Sequence, residues 1–338
     1  METFATLFSG GGGADLGLMA AGLRPLWAVE YDAKIAGVYA DNFDYAPIVA
    51  DVRGVDYTAL PRADWLHASP VCTRASVANA GAVESPEDVE TAAAAVRAIT
   101  AARPRVVTIE NVWQYRKFEA FRAICAGLDR LGYMWTVDHV NAADLGVPQT
   151  RKRLMLRAVR GGLLPPLPAP VRWIGWYEAI ADLIPDLPDS ELAPWQLARM
   201  PGGSRSLLFG NHPHTVSGAR SFVPENEPIF AVSAQYLGRA RAVLLDGNNT
   251  SGPGRDGSPV RVPGDQPAFT IRSTRASVHR AIVAPRVVAM TPRALARFQS
   301  FPDSYRLPDG RALAAKIIGN AVPPLMIQRI AVDLLASL

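Results

Sequence analysis

The first half of the chain alternates short apolar segments with stretches that have helical periodicity. This alternation is typical of βαβ units, in which helices cover both faces of a largely parallel sheet. We therefore expect an α/β fold. The predicted strands are ETFATLF, PLWAVEYD, APIVADV, DWLHASPV, RVVTIENV and RLMLRAV, and the predicted helices are ADLGLMAAGL, PEDVETAAAAVRAITAA and FEAFRAICAGLDRLG.

The composition changes after Gly161, where the segment GGLLPPLPAP begins. Consecutive prolines prevent a helix and leave few backbone donors for a sheet, so this segment is a predicted linker. Short β-like segments and turn formers continue to about residue 285, and two helical patterns follow. We predict a first domain over residues 1–165, completed by residues 312–338, and a smaller, mostly β and loop domain over residues 166–311.

Positive charge is concentrated in one third of the chain. Between Arg199 and Arg286 there are eleven arginines, no lysine and five acids, a net charge of +6, whereas the whole chain carries +4. Guanidinium groups make bidentate contacts with phosphates and with guanine edges, so this segment fits a polyanion-binding surface. Lysine is scarce throughout the chain, and a general preference for arginine on a solvated surface explains the same numbers.

The sequence contains no run of eighteen apolar residues, and its first residues lack a basic segment followed by a hydrophobic one. We therefore expect neither a membrane span nor a signal peptide, and a cytoplasmic location. Cys72 and Cys125 should then be reduced. Cys125 lies in an apolar helical pattern that indicates the core. His212 and His214 lack further ligands at zinc spacing, so no metal site is predicted.

A glycine-rich segment, FSGGGGADLGL, follows the first predicted strand. Glycines let the backbone approach a ligand, and open α/β sheets bind ligands at the carboxyl ends of their strands. A dinucleotide fingerprint would need a third glycine where Asp15 stands. Glu30 ends the second strand and is placed to accept hydrogen bonds from a ribose diol, and Asp51, after the third, could bind an adenine amino group. The pattern favours S-adenosylmethionine, and a tight turn with two exposed acids is the alternative.

Two further groups belong to the same edge of the predicted sheet. Cys72 follows the fourth strand, and Glu110, Asn111 and Val112 end the fifth. Because the carboxyl ends of parallel strands meet at one edge, we expect the thiol and the carboxyl to share a site. Arg151 and Arg153 stand two apart before a later strand, where alternate side chains point the same way.

These motifs, in this order, resemble those of the DNA cytosine-5 methyltransferases. The resemblance covers nearly the whole chain except its basic middle third. The matching residues are Phe8, Gly10, Gly12 and Gly13 for F-x-G-x-G-G, Glu30 with Tyr31 and Asp51 with Val52 for the next cofactor positions, Cys72 for the catalytic loop, Glu110-Asn111-Val112 for E-N-V, Gln149, Arg151 and Arg153 for Q-x-R-x-R, and Gly319-Asn320-Ala321-Val322 for G-N-x-V.

The catalytic loop departs from the pattern of that family. The family usually has Pro-Cys-Gln followed by an aromatic residue, whereas Val71, Thr73 and Ala75 occupy those positions here. Pro70 stands one place earlier than the usual proline and restrains the backbone before Cys72.

The resemblance implies a Rossmann-like methyltransferase sheet with a smaller target-recognition domain. It also implies methyl transfer from S-adenosylmethionine to carbon 5 of a cytosine flipped out of a short, specific DNA sequence. Cys72 would add covalently to carbon 6 and Glu110 would hold ring nitrogen 3. Asn111 would orient Glu110, Arg153 would hold the cytosine edge, and Arg151 would support the loop.

The implied partner is double-stranded DNA, and we expect a monomer. The sequence leaves open whether a cognate restriction endonuclease is a further partner. The basic middle third would supply phosphate and groove contacts. Two alternatives stay open from the sequence. One is a tRNA cytosine methyltransferase with the same fold, and the other is a DNA-binding homologue whose altered loop is catalytically impaired.

Overall fold

The computed structural model describes residues 2–70, 83–190 and 286–338, and between them the backbone of short strands. The chain divides into two compact units, which are described separately below. The first comprises residues 1–141, 152–169 and 321–338, and the second comprises residues 142–151 and 170–320. A functional domain boundary at residue 165 stays a prediction.

A seven-stranded sheet forms the centre of the first unit. Its strand order is β3-β2-β1-β4-β5-β8-β6. The strands β2 and β3 therefore lie on one side of β1, and the later strands β4, β5, β8 and β6 lie on the other side. This order places a topological switch point between β1 and β4. The strands are β1 Thr3–Leu7, β2 Arg24–Glu30, β3 Ile48–Val49, β4 Trp65–Ala68, β5 Val106–Asn111, β6 Met134–Asn141, β7 Gln149–Thr150 (in the second unit) and β8 Lys152–Val159.

The two central strands β4 and β5 are buried along their whole length. Such strands are nearly continuously apolar because helices cover both faces of a parallel sheet. Ser85 precedes α3, and the carboxylate of Asp88 accepts hydrogen bonds from its amide and its hydroxyl. The helices are α1 Gly13–Ala20, α2 Ala33–Ala40, α3 Pro86–Ala102, α4 Glu119–Arg130 and α8 Pro324–Ala336 in the first unit, and α5 Trp176–Ile180, α6 Pro292–Phe298 and α7 Arg311–Asn320 in the second.

One strand of the sheet runs against the others. The strands β1 to β5 pair in parallel, whereas β8 is antiparallel to both β5 and β6. Residues 142–151 join β6 to β8, and such a short connection does not allow the crossover that a parallel pair requires. The predicted α/β fold is therefore confirmed, with a mixed rather than wholly parallel sheet.

Short strands are the main described feature of the middle of the second unit. Five of them form a sheet of order β10-β9-β12-β16-β15, and β11 pairs with β14 while β13 pairs with β7. Their ranges are β9 Ser206–Leu208, β10 Phe222–Pro224, β11 Ser233–Gln235, β12 Arg241–Val243, β13 Ala268–Phe269, β14 Arg272–Arg275, β15 Arg280–Val283 and β16 Arg286–Val288.

In the described part of the chain, the helices are too short or too polar to cross a membrane.

Close packing between α1 and α8 depends on Gly17. A Cβ atom at this position would lie 2.3 Å from Cγ2 of Ile327 and 2.3 Å from the carbonyl oxygen of Pro324. We predict that Gly17→Ala lowers the free energy of unfolding by about 1–3 kcal/mol, because the methyl group forces the two helices apart. Urea unfolding of the full chain measures the change.

Gly37 provides the matched control, because it lies within α2 and a Cβ atom there would meet nothing within 4 Å. Gly37→Ala should raise the free energy of unfolding by about 0.5–1 kcal/mol by restricting the unfolded chain. Equal stability of Gly17→Ala and the unmodified protein would contradict the packing role of Gly17.

Candidate active site

The glycine-rich turn joins β1 to α1. Phe8, Gly10 and Gly12 all have positive φ angles, of 57°, 55° and 83°. Gly12 precedes α1, and a Cβ atom on it would lie 2.3 Å from Cε2 of Phe43, so only glycine fits. A Cβ atom on Gly10 would meet nothing within 4 Å. The backbone at Gly10 is therefore open to a ligand.

The carboxylate of Glu30, at the end of β2, is fixed beside this turn. Its Oε2 accepts a hydrogen bond of 2.8 Å from the amide of Gly10, and its Oε1 accepts one of 2.8 Å from the amide of Asp32. Each oxygen keeps a second lone pair for a hydroxyl donor. Tyr31, the next residue, is 76% exposed. The arrangement suits a ribose diol with an aromatic side chain next to it.

Asp51 follows β3 and is held by an arginine from its own turn. Arg53 donates to both oxygens of this carboxylate, with a shortest distance of 2.7 Å, and also pairs with Glu90. These hydrogen bonds lower the pKa of Asp51, so it is charged at neutral pH. Val52, the next residue, is buried. The carboxylate of Asp51 is thus held in one orientation, and Arg53 already uses part of its capacity to accept hydrogen bonds.

A second carboxyl, which sequence analysis noted only for breaking the glycine pattern, is buried behind the turn. Oδ1 of Asp15 accepts hydrogen bonds from the hydroxyls of Thr6 at 2.8 Å, Tyr39 at 2.7 Å and Tyr45 at 3.2 Å. Burial raises its pKa to about 6. Asp15 ties α1, α2 and β1 together beneath the glycine turn. The signal in the sequence was an acid on the apolar side of a short, otherwise uncharged helix.

At the other half of the site, Glu110 and Arg153 meet. Glu110 ends β5 and is only 5% exposed, and its Oε1 lies 3.1 Å from Nε of Arg153. Arg153 also donates from Nη1 to the carbonyl of Lys152 at 2.8 Å. Oε1 of Glu110 accepts no hydrogen bond among the described residues. The buried carboxyl is therefore paired by charge, and its Oε1 has hydrogen-bonding capacity that the described residues do not use.

Asn111 contacts the segment that leads to Cys72. Its Nδ2 donates a hydrogen bond of 3.0 Å to the carbonyl of Pro70, and its Oδ1 accepts one of 2.8 Å from the amide of Val112. The side-chain amide of Asn111 therefore contacts Pro70 and Val112, and not Glu110, which it was expected to orient. Cys72 itself lies outside the described residues, so the structure fixes only the start of its loop.

Arg151 lies in the second unit and is almost fully buried there. Its Nη1 donates a hydrogen bond of 3.2 Å to the carbonyl of Gly319, the first residue of the G-N-x-V motif. Nε2 of Gln299 donates to the carbonyl of the preceding Ile318 at 2.7 Å. Two side chains thus hold the end of α7, where Asn320 is the last residue and Ala321 follows.

Cys125 is partly buried against the core, and this burial raises the pKa of its thiol to about 11. A thiol that stays protonated is a poor nucleophile, which agrees with the packing role predicted for this residue.

Behind Ser69 and Pro70, a buried polar network joins β4 to β5. Nδ1 of His67 lies 2.9 Å from Oγ1 of Thr108, and its Nε2 lies 3.1 Å from Oγ of Ser69. The indole of Trp65 donates to the same Thr108 oxygen at 3.0 Å. Burial lowers the pKa of His67 to about 3, so the imidazole is neutral in the folded protein at neutral pH. No pattern in the sequence indicates this network, because an isolated histidine in an apolar strand is ambiguous.

The pKa of His67 has a consequence for stability. Between pH 6.5 and about 3 the unfolded chain binds a proton that the folded chain does not, so stability falls as the pH decreases. We predict that His67→Gln removes up to about 1.4 kcal/mol per pH unit of this slope. Urea unfolding at several pH values measures it. Thr108→Val alters the same network but keeps the imidazole, so it should keep the slope, and an unchanged slope in His67→Gln would contradict the assignment.

The sheet has the strand order of the α/β methyltransferases that use a nucleotide cofactor. The glycine turn after β1 and the acid at the end of β2 also belong to this class. A family profile described as C-5 cytosine-specific DNA methylase matches residues 3–198 and 213–336. The chain belongs to this family, which confirms the resemblance found in its motifs and the expectation of a DNA cytosine-5 methyltransferase.

Individual relatives agree with this assignment. The Type II methyltransferase M1.HphI of Haemophilus parahaemolyticus is 26% identical over 97% of this chain and 85% of its own length. The Type II methyltransferase M.Bsp6I of a Bacillus strain is 32% identical over 47% of this chain, and the match spans about half (53%) of that relative.

Solved structures show the same fold. A DNA modification methyltransferase described as putative, from an Escherichia coli prophage, superposes with a TM-score of 0.65 at 19% identity and covers 100% of this chain and 99% of its own. The Dnmt2 methyltransferase of S. pombe has a TM-score of 0.59 at 12% identity, with 99% of each chain covered.

Proposed function

We propose that the protein transfers a methyl group from S-adenosylmethionine to carbon 5 of a cytosine flipped out of a short, specific duplex sequence, through a covalent adduct with Cys72. The observation that carries this proposal is the buried carboxyl of Glu110 beside Arg153 at the end of β5. The names of the relatives, which are Type II methyltransferases, support a modification enzyme of that type. A cognate restriction endonuclease as its partner in the cell is part of the proposal.

The residues at the glycine turn fit S-adenosylmethionine. The space over Gly10 is open, and the Glu30 carboxylate is oriented by two backbone amides so that its remaining lone pairs face donors such as ribose hydroxyls. When bound, this cofactor supplies an electrophilic methyl group attached to a sulfonium. The residues that would hold it are Phe8, Gly10, Gly12, Gly13, Glu30, Tyr31, Asp51, Val52, Asn320 and Ala321.

The chain's own residues would activate the cytosine. Carbon 5 is a poor nucleophile, and addition of the Cys72 thiolate to carbon 6 moves the ring's π electrons toward carbon 5. Glu110, as the carboxylic acid, would donate a hydrogen bond to nitrogen 3 and so stabilise the negative charge that develops on the ring. After methylation, a base takes the carbon 5 proton, and the electrons of the broken C–H bond restore the 5,6 double bond and expel Cys72 as a thiolate.

Arg153, Asn111 and Arg151 would position these groups. Arg153 pairs with the buried Glu110 carboxyl and keeps guanidinium donors for the cytosine edge. Asn111 fixes the backbone at Pro70, two residues before Cys72, and so aims the catalytic loop. Arg151 supports the G-N-x-V segment through Gly319. Flipping the base costs a few kcal/mol of unstacking, which contacts with duplex DNA would offset.

We predict that Cys72→Ala abolishes methyl transfer and that Glu110→Gln lowers it by about 10²–10⁴-fold, because one removes the nucleophile and the other the ionisable carboxyl. The assay is transfer of labelled methyl groups from S-adenosylmethionine to duplex DNA, followed by base-resolution sequencing for 5-methylcytosine. Cys125→Ala is the matched control and should retain activity.

Each outcome of this assay is informative. Substantial activity in Cys72→Ala would contradict the covalent mechanism. Transfer to tRNA in preference to duplex DNA would favour the RNA alternative. Cofactor binding without transfer to either substrate would favour a catalytically impaired DNA-binding homologue.

The cofactor site has a test that does not depend on activity. We predict that Glu30→Ala weakens the binding of S-adenosylmethionine at least about tenfold, since hydrogen bonds from two hydroxyls to a carboxylate are lost. Isothermal titration calorimetry measures the dissociation constant. Asp44→Asn, a change at an exposed acid in the same unit, should leave it unchanged, and equal affinities in both variants would contradict the assignment of Glu30.

A further inference from the structure

A cluster of cationic and aromatic side chains lies directly beyond β5, and we call Trp113, Arg116, His139 and Lys152 the Trp113 cluster. The indole of Trp113 stacks on the imidazole of His139, with ring centroids 4.3 Å apart and an angle of 20° between the planes. The guanidinium carbon of Arg116 lies 4.6 Å from the centre of the Trp113 ring. Arg116, His139 and Lys152 are exposed. One aromatic ring therefore holds two basic side chains at the surface.

The charges of the cluster are close together and lack acidic partners. Partial burial, Lys152 and Arg116 all lower the pKa of His139, so both cations lie near the imidazole. Within the part of the chain that the structure describes, neither Arg116 nor Lys152 forms an ion pair with a carboxylate. Asp138, next to His139 on β6, points to the opposite face and pairs with Arg157 at 2.8 Å.

Nearby carboxyls do not neutralise this surface. Glu84 accepts hydrogen bonds from the first two amides of α4, those of Glu119 and Ala120. Lys117 and Arg122 add two exposed cations, and Nη1 of Arg122 donates to the carbonyl of Lys117. An exposed guanidinium that is stacked on an aromatic ring and has no carboxylate is already oriented, so it loses little conformational entropy when it binds an anion.

The cluster lies at the same edge of the sheet as Glu110, but on the other face. Nε of Arg153 is 3.1 Å from Glu110, and these two residues share one face of the pair β5 and β8. Lys152 directly precedes Arg153, so its side chain points to the opposite face, which is also the face of His139. An anion held by Arg116 and Lys152 would therefore lie across this sheet edge from a base that contacts Glu110.

We propose that the Trp113 cluster is a phosphate-binding surface for the backbone of the bound DNA duplex. In this proposal, which rests on the proposed function, Arg116 and Lys152 contact backbone phosphate oxygens and Trp113 serves to hold Arg116 and His139 rather than to stack on a base. The first unit then contributes its own backbone contacts, in addition to those expected from the basic middle third of the chain.

The salt dependence of DNA binding tests this proposal. Fluorescence anisotropy with a short duplex of mixed sequence measures the dissociation constant of the full chain at several salt concentrations, because phosphate contacts do not require the recognition sequence. In Arg116→Gln/Lys152→Gln we expect the slope of log K against log salt to decrease by about 2, and affinity near 0.1 M salt to fall about 10- to 100-fold.

The matched control is Lys34→Gln/Arg130→Gln, which removes the same two charge types from exposed positions of the same unit. It should change affinity less than about twofold, and S-adenosylmethionine should bind both double variants as it binds the unmodified protein. If the two double variants have the same slope and affinity, the proposal is wrong. Methyl transfer by the unmodified protein is measured in a separate assay. A lack of methyl transfer would count against the proposed function, whereas the comparison of DNA binding by the two double variants tests only the Trp113 cluster.

Proton uptake gives a second, independent readout. A phosphate beside His139 would favour its protonated form and oppose the effect of Arg116 and Lys152. Calorimetry in buffers of different ionisation enthalpy near pH 6.5 should show that the protein takes up part of a proton when it binds the duplex and that His139→Gln takes up less. Equal uptake by the two proteins would show that no phosphate contacts the cluster at His139.

Discussion

The register between β5 and the reversed strand β8 is the constraint on which the pairing of Glu110 with Arg153 depends. Glu110 lies opposite Met155 in this antiparallel pair. Arg153, two residues from Met155, therefore lies on the same face of the sheet as Glu110 and diagonal to it, within reach of a long side chain. A shift of one residue would move Arg153 to the other face and leave a buried carboxylate without its countercharge.

The reversed strand also explains which parts of the molecule a sequence can predict. The glycine turn, Glu30 and Glu110 could be placed at one edge because each follows a strand with an obvious apolar pattern. The pairing of Arg153 with Glu110 required knowledge that β8 inserts between β5 and β6. β6 is not apparent from the sequence, because Met134–Asn141 is only partly buried and its polar residues weaken the strand signal.

Other features cannot be predicted from a local sequence pattern because they depend on contacts between residues that are distant in the chain. The helix α2 is only eight residues long and contains Gly37, so its periodicity is weak, although Asp32 caps its amino end through the amides of Lys34 and Ile35. Asp15 is buried only because Tyr39 from α2 and Thr6 from β1 provide hydrogen bonds. His67 is neutral because burial lowers its pKa, and hydroxyls from Ser69 and Thr108 satisfy its ring nitrogens. No local pattern encodes these partners.

The contact between Asn111 and Pro70 gives a physical reason why the unusual loop sequence is compatible with catalysis. The family's usual proline directly precedes the nucleophile and restrains its backbone, whereas here Val71 stands at that position. Pro70 restrains φ one residue earlier, and its carbonyl is held by an asparagine on a fully buried strand. Restraint at Pro70 is then supplied from β5 as well as by its own ring. Because Asn111 is the residue after Glu110, the same strand end positions the Glu110 carboxyl and the backbone of Pro70, two residues before Cys72.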